Sequence, residues 1–274
     1  HKPCDLYDPS VKHLSGVLPP KLFPLHGIFD DSSTLAALRT LGLRTNIDAA
    51  GILLTAECIH EDFIELMKNR DPENTDKEVI LEDLIRRALS LVRYIDNNVD
   101  EILGEVDEDG LEQFYRGRDQ SESSKVAVDA NGKGRDSPVS IGGKWGSQLR
   151  DLAWIPVHTS PHVKRAVASL PWPEVLHSVP LAKPLSCARR ADTWLVSSSK
   201  RISTYDISSS ALIALLGWDL QPCGYTCATQ ILCLSRAWNN LSEEARNAFV
   251  EDNTIVVCRL FHFLQVSMDK ESKA

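Results

Sequence analysis

The sequence predicts an α+β chain, mainly helical with a few short β-strands, and three observations carry that prediction. Apolar residues recur at helical spacing over long stretches of both halves. Helix starts and stops are marked by Asp, Ser and Thr before those stretches and by Gly after them. Only two brief runs, around Trp154 and Trp194, have the β-branched and aromatic content of strands.

Residues 1–29 hold prolines at 3, 9, 19, 20 and 24, which forbid a long helix. The segment reads as an arm draped over a domain, anchored by Tyr7, Phe23 and Phe29. Next comes Leu35-Ala-Ala-Leu-Arg-Thr-Leu-Gly-Leu-Arg-Thr45, a helix and tight corner in one unit. Asp30, Asp31, Ser32 and Ser33 are its N-cap candidates. Gly42 falls where the last turn needs a left-handed residue, so Leu43 can fold back on the helix end. Thr45 or Asn46 is the expected cap of a second helix, beginning near Ile47 and carrying Ile52, Ala56, Ile59 and Phe63 on one face to about Asn69. Asp71-Pro72 ends it. Thr75 or Asp76 starts a third, whose face of Leu84, Ala88, Leu91, Val92 and Ile95 runs to about Leu103. The two should pack antiparallel.

Ser, Gly, Asp and Lys then replace large apolar residues. The organisation read from this is a helical region at 1–116 with its Pro-rich arm, a flexible linker or loop at 117–142, a smaller α+β region at 143–266 and a polar tail at 267–274. Val126 to Gly132 could form a small hairpin in the linker. In the second region a short helix ends at Leu152, and Ala153-Trp-Ile-Pro-Val157 reads as a strand. Residues 160–185 are proline-punctuated loop. Thr193-Trp-Leu-Val196 reads as a second strand running into polar Ser197 to Arg201. Helices are expected from Ser208–Ser210 to Leu216, from Thr226 to Trp238, and from Ser242 to Leu264.

Charge bounds the function. The net of −8 is uneven: residues 1–150 carry 18 Lys and Arg against 27 Asp and Glu, residues 151–274 carry 12 against 11. Neither half has the basic surface that a phosphate backbone requires, so no nucleic-acid partner is expected. No apolar run reaches the length of a membrane span, so no membrane partner is expected either. Seven cysteines in no regular framework read as free thiols in a reducing compartment. The start at His1-Lys-Pro-Cys, without an initiator Met, suggests a piece of a longer polypeptide.

Four constellations bear on chemistry. Asp129-Ala-Asn-Gly-Lys-Gly134 lacks the glycine spacing and Lys-Ser/Thr pair of a phosphate-binding loop. Asp96 to Asp107 alternates oxygen ligands like a calcium loop, but Glu101 stands where the turn needs Gly and Asp107 where a bidentate Glu belongs. Cys223 and Cys227, with Cys233 and Cys258 beyond, offer a zinc spacing without a second close pair. His158 and His162 share a loop with no acid or thiol nearby in sequence. The six tryptophans, 145, 154, 172, 194, 218 and 238, read as core pieces, with Trp172 between prolines in a loop. No catalytic, cofactor-binding or metal-binding residue is therefore assigned, and no cofactor.

Several motifs occur in a telling order: Leu6-Tyr-Asp-Pro9, Leu22-Phe-Pro24, Leu35 to Thr45, Trp154-Ile-Pro-Val157, Trp194-Leu-Val-Ser-Ser-Ser199 and Leu216-Gly-Trp218. Together they resemble the sacsin family, the plant sacsin-like proteins most closely, in the repeating region that follows the nucleotide-binding module. The resemblance runs from about residue 4 to 238. It implies a non-catalytic segment of a very large chaperone or co-chaperone, cytoplasmic with a nuclear location as second choice, whose partners are other chaperones or client proteins. The family's ATPase module, similar to the ninety-kilodalton heat-shock chaperones, needs a Glu and Asn on one helix and an Asp-x-Gly-x-Gly loop. Asp129 stands one position too far from Gly132, and no such helix precedes it, so the chain is not expected to be an enzyme. Two alternatives stay open: a hydrolase using His158 or His162 in a tryptophan-rich pocket, and an adaptor whose acidic 96–122 stretch grips a basic partner.

Overall fold

The computed structural model describes residues 3–25, 27, 31–68, 76–106, 143–159, 178–219 and 224–271. Asp31 begins α2 (Ser32–Thr40), following a one-turn α1 (Lys12–Ser15) in the arm. Its carboxylate accepts the N–H groups of Ser33 at 3.0 Å and Thr34 at 2.9 Å, two donors the first turn would otherwise leave unpaired. The helix stops at Gly42, φ +99°, where Gly42 N–H donates to Arg39 C=O and Leu43 N–H to Leu38 C=O. That pair of reversed bonds is a Schellman cap. A second copy of the same device closes α7 (Ser210–Leu215): Gly217, φ +75°, donates to Ala214 C=O and Trp218 to Ile213 C=O. In both, the residue after the glycine is buried, Leu43 in one and Trp218 in the other.

The long helices α3 (Ala49–Lys68) and α4 (Asp76–Val106) form the spine. Tyr94 exchanges hydrogen bonds with the backbone of Ile47, and Arg87 pairs with Asp62 at 3.7 Å. Partner numbers fall along one helix as they rise along the other, which makes the pair antiparallel as expected. Ile52, Ile59, Leu84, Leu91 and Ile95 are fully buried between them and their neighbours. Each such side chain contributes about 1.5–3 kcal/mol relative to exposure. The start of α3 differs from expectation. Asp48, not Thr45 or Asn46, accepts the Gly51 N–H at 2.8 Å, so the helix begins two residues after Ile47.

Beyond the insert, α5 (Gly143–Asp151) packs onto α3, and Trp145 Nε1 donates to Ala49 C=O at 2.7 Å. The strands are short. β1 (Ile155–Pro156) pairs antiparallel with β2 (Leu181–Ala182), and β3 (Cys187–Ala188) pairs parallel with β4 (Arg201–Ile202). A bridge between Val157 and Ser203 links the two sheets. His60 on α3 accepts the Ala153 N–H at Nδ1, 3.1 Å away; burial, with Lys183 nearby, holds its imidazole below the ordinary value, which suits an acceptor.

The expected strand at Thr193–Val196 is instead a one-turn helix, α6, and the strand lies at Arg201–Ile202 in the run read as polar. The reason is tertiary. Gln230, buried on α8 (Gly224–Asn239), accepts the Ser198 N–H at 3.0 Å and donates to Ser197 Oγ at 2.9 Å, fixing the turn after α6. The last helix, α9 (Glu243–Glu271), extends past the expected end at Leu264 into the stretch read as a polar tail. The linker at 117–142, with its hairpin, lies outside the described residues.

One hydrophobic cluster takes in Tyr7 through Leu103 from before the insert and Trp145 through Trp218 from after it. Packing thus draws together the two regions on either side of 117–142. A smaller cluster gathers Leu195, Val196, Ile202, Cys227, Leu234 and Leu260 under α8 and α9. The main joint is Asp96 of α4, buried at 6 % exposure. Its carboxylate accepts the Ser208 N–H at 3.1 Å, Ser208 Oγ–H at 2.9 Å, Ser209 N–H at 2.8 Å and Tyr205 O–H at 3.2 Å, at the start of α7. Removing it strands several part-buried donors, each worth about 1.5–3 kcal/mol at most when bonded to a charge. Asp96→Ala should therefore lower unfolding free energy by about 3 kcal/mol in urea titrations, whereas exposed Asp100→Ala should change it by less than about 0.5 kcal/mol.

Candidate functional groove

The arm is held by a polar network that also shapes a groove beside it. Tyr7 bridges to Arg44 as a parallel β-contact: Tyr7 N–H donates to Leu22 C=O, Asp8 N–H to Arg44 C=O and Arg44 N–H to Leu6 C=O. Asp8, with no exposed surface, pairs with the Arg39 guanidinium of α2 and accepts both the amide (2.9 Å) and hydroxyl (2.7 Å) of Ser10. Burial opposes ionisation of Asp8, but Arg39 and Ser10 outweigh it and hold the carboxyl below its usual range.

Beside it, Tyr7 Oη–H donates to Asp48 at 2.9 Å, and Arg44 pairs with Asp48 while lying 5.6 Å above the Tyr7 ring. Burial first, and the Asp48 carboxylate second, push the phenol up to about 12. Gly51 is what permits the contact: a Cβ there would stand 2.1 Å from the Tyr7 oxygen. So Asp48 caps α3, anchors the arm and pairs with the α2–α3 corner at once.

With arm and corner fixed, a groove of about 1350 Å³ opens between the arm, α2 and α4. Leu18, Phe23, Leu35, Leu38 and Leu43 supply apolar walls, Leu25 projects at its edge, and α4 contributes Asp83, Arg86 and Arg87. Asp83 is held ionised by its pairs with Arg86 and Arg87, the first of these the stronger influence. Arg87 is largely covered by these pairs, whereas Arg86 stands mostly in water. Leu25 is 70 % exposed. The groove exceeds the roughly 300–1,000 Å³ of small-molecule pockets and presents apolar walls beside a projecting cation.

Among the described residues, none of the four sequence constellations lines the groove. Asp96 to Val106 is helix, with Asp96 turned inward, so its oxygens do not encircle an ion; Asp107 lies outside the described residues. Asp129 to Gly134, Cys223, His162 and Trp172 are also outside them. Cys227 is buried and donates to Leu260 C=O at 3.1 Å, whereas Cys258 is exposed. Among the described residues no group of three or more His, Cys, Asp or Glu converges as a metal site would require. Cys58, Cys187, Cys227, Cys233 and Cys258 are free thiols, and burial pushes Cys187 up to about 12. His158 serves the sheets through its N–H, which donates to Ile202 C=O at 2.9 Å.

Trp145, Trp154 and Trp218 are core residues, as read. The last two donate their indole N–H to Leu149 and Pro184 carbonyls at 2.9 and 2.8 Å. Trp194 and Trp238 are half-buried. No pattern in the sequence marks the groove. No helix among the described residues is long and apolar enough to cross a membrane. No protein-family model, no curated protein and no solved structure matches the chain.

The Tyr7 value gives a pH signature. A folded value above the ordinary 10 means that the network's contribution is whole below about pH 10 and is lost as pH rises through about 12. Tyrosinate absorbance should show a late step near 12 that Tyr7→Phe removes, and the urea midpoint of the variant should depend less on pH between about 10 and 12.

Proposed function

We propose that this chain is a non-catalytic segment of a sacsin-like chaperone protein, and that its groove holds a segment of a client or partner polypeptide. The observation that carries the reading is the groove between the arm, α2 and α4, with leucine and phenylalanine walls and Arg86 beside them. Apolar side chains of a bound segment would enter between the walls, as an amphipathic helix enters a hydrophobic groove. A carboxylate on that segment would meet Arg86, whose guanidinium pairs with Asp83 and still stands mostly in water.

The motifs behind the family resemblance support the reading from another side. Tyr7, Asp8, Leu22, Leu35, Leu43, Trp154, Leu195 and Trp218 are all buried frame residues. They build the arm anchor, the helix corners and the sheet junction, so the resemblance rests on scaffold.

The chain should slow aggregation of a thermally unfolding model protein. Leu25→Asp with Arg86→Gln should weaken that effect at least about fivefold while lowering its own unfolding free energy by no more than about 1 kcal/mol, because Leu25 is exposed and the Arg86–Asp83 pair lies at the surface. Unchanged protection would remove the groove from the proposal. Calorimetric binding of ATP with magnesium would overturn the non-catalytic assignment.

A further inference from the structure

Helix α5 lies along α3 and is held to it at both ends. At its start, Trp145 Nε1 donates to Ala49 C=O at 2.7 Å. Just past its end, the Ala153 N–H donates to His60 Nδ1 at 3.1 Å. The two acceptors stand about 16 Å apart along the axis of α3, at 1.5 Å per residue.

These two holds differ in kind. An indole N–H is a donor at every working pH, and a backbone carbonyl is always an acceptor. An imidazole nitrogen accepts only while it carries no proton. With Nδ1 committed to the Ala153 amide, the neutral ring keeps its single proton on Nε2. A second proton would set two donors, Nδ1–H and the Ala153 N–H, against each other in a part-buried junction. One of them must turn away, and the amide is then left without its acceptor. The segment has little slack for this, because Ile59 beside the ring, and Trp154 and Ile155 beyond the amide, are fully buried.

We propose that His60 is an acid-sensitive latch: the neutral ring fastens the turn between α5 and β1 to the spine, and the imidazolium releases it, leaving Trp145 as the remaining hold. Among the described residues, Lys183 in the turn after β2 and Glu61 beside His60 on α3 are the charged groups that bear on the ring; α5 and β1 add none. Desolvation first, and Lys183 second, disfavour the imidazolium, and Glu61 favours it but is outweighed. The closed latch therefore holds the ring below its ordinary 6.5.

A depressed value fixes the sign. The latch's contribution is whole above about pH 6.5 and is lost as pH falls through the lower, closed-state value. The closed population loses about tenfold for each pH unit that separates the two values. Neither His60 nor Ala153 lines the groove, so the latch and the groove reading can fail separately.

The test uses the whole chain. Ring carbon and nitrogen shifts of His60 should report the Nε2–H tautomer at neutral pH and a titration midpoint below 6.5. Exchange of the Ala153 amide, corrected for its intrinsic rate, should lose at least about threefold in protection between about pH 7 and about pH 4.5. The Trp145 indole should keep its protection over the same range. His60→Asn sets an amide oxygen where Nδ1 stands and cannot titrate, so its Ala153 protection should stay level. A His60 midpoint at or above 6.5, or Ala153 protection that ignores pH, would overturn the proposal. So would an equal loss at Trp145, which marks loosening of the whole fold, or a His60→Asn chain that still follows the wild-type profile.

Discussion

A carboxylate withdrawn from water must be matched by donors, and at Asp8 that requirement determines where much of the N-terminal half can lie. An uncompensated charge there would cost several kcal/mol, so the guanidinium of Arg39 has to come to it. Arg39 sits in the last turn of α2, and its position fixes that helix against the arm. Tyr7, the next residue back, reaches Asp48 at the start of α3 through space that only Gly51 leaves open. Arm, corner and spine are thus tied by adjacent residues. The groove is the gap that remains when those ties are satisfied.

The spine was legible because both helices write their buried face in the sequence: Ile52, Ala56, Ile59 and Phe63 on one, Leu84, Ala88, Leu91 and Ile95 on the other. Their antiparallel packing followed from those faces and the short distance between them. The corner at Gly42 was legible for a similar reason, since a left-handed residue between two leucines has few other uses. The cap of α3 was not. Thr45, Asn46 and Asp48 are all good caps locally, and the choice among them came from Tyr7 and Arg44, which the local sequence does not contain.

The same limit applies at Thr193–Val196. Its composition suits a strand, and a host with a free sheet edge would have used it as one. Gln230 instead satisfies the backbone just beyond it, from a helix more than thirty residues away. The groove is the strongest case. Its walls come from Leu18, Leu38 and Arg86, whose spacing in sequence carries no period, and concavity is a property of three elements together. Buried indoles were easier: six tryptophans in one half must mostly fill space, and Trp145, Trp154 and Trp218 do.

Asp96 has one more consequence, for the order in which the protein can be made. The helix start at Ser208 and Ser209 takes its acceptors from a carboxylate 112 and 113 residues earlier in the chain. On a ribosome, α4 has left the exit tunnel long before those serines are joined. The second half therefore emerges onto a surface that already carries the acceptor it needs.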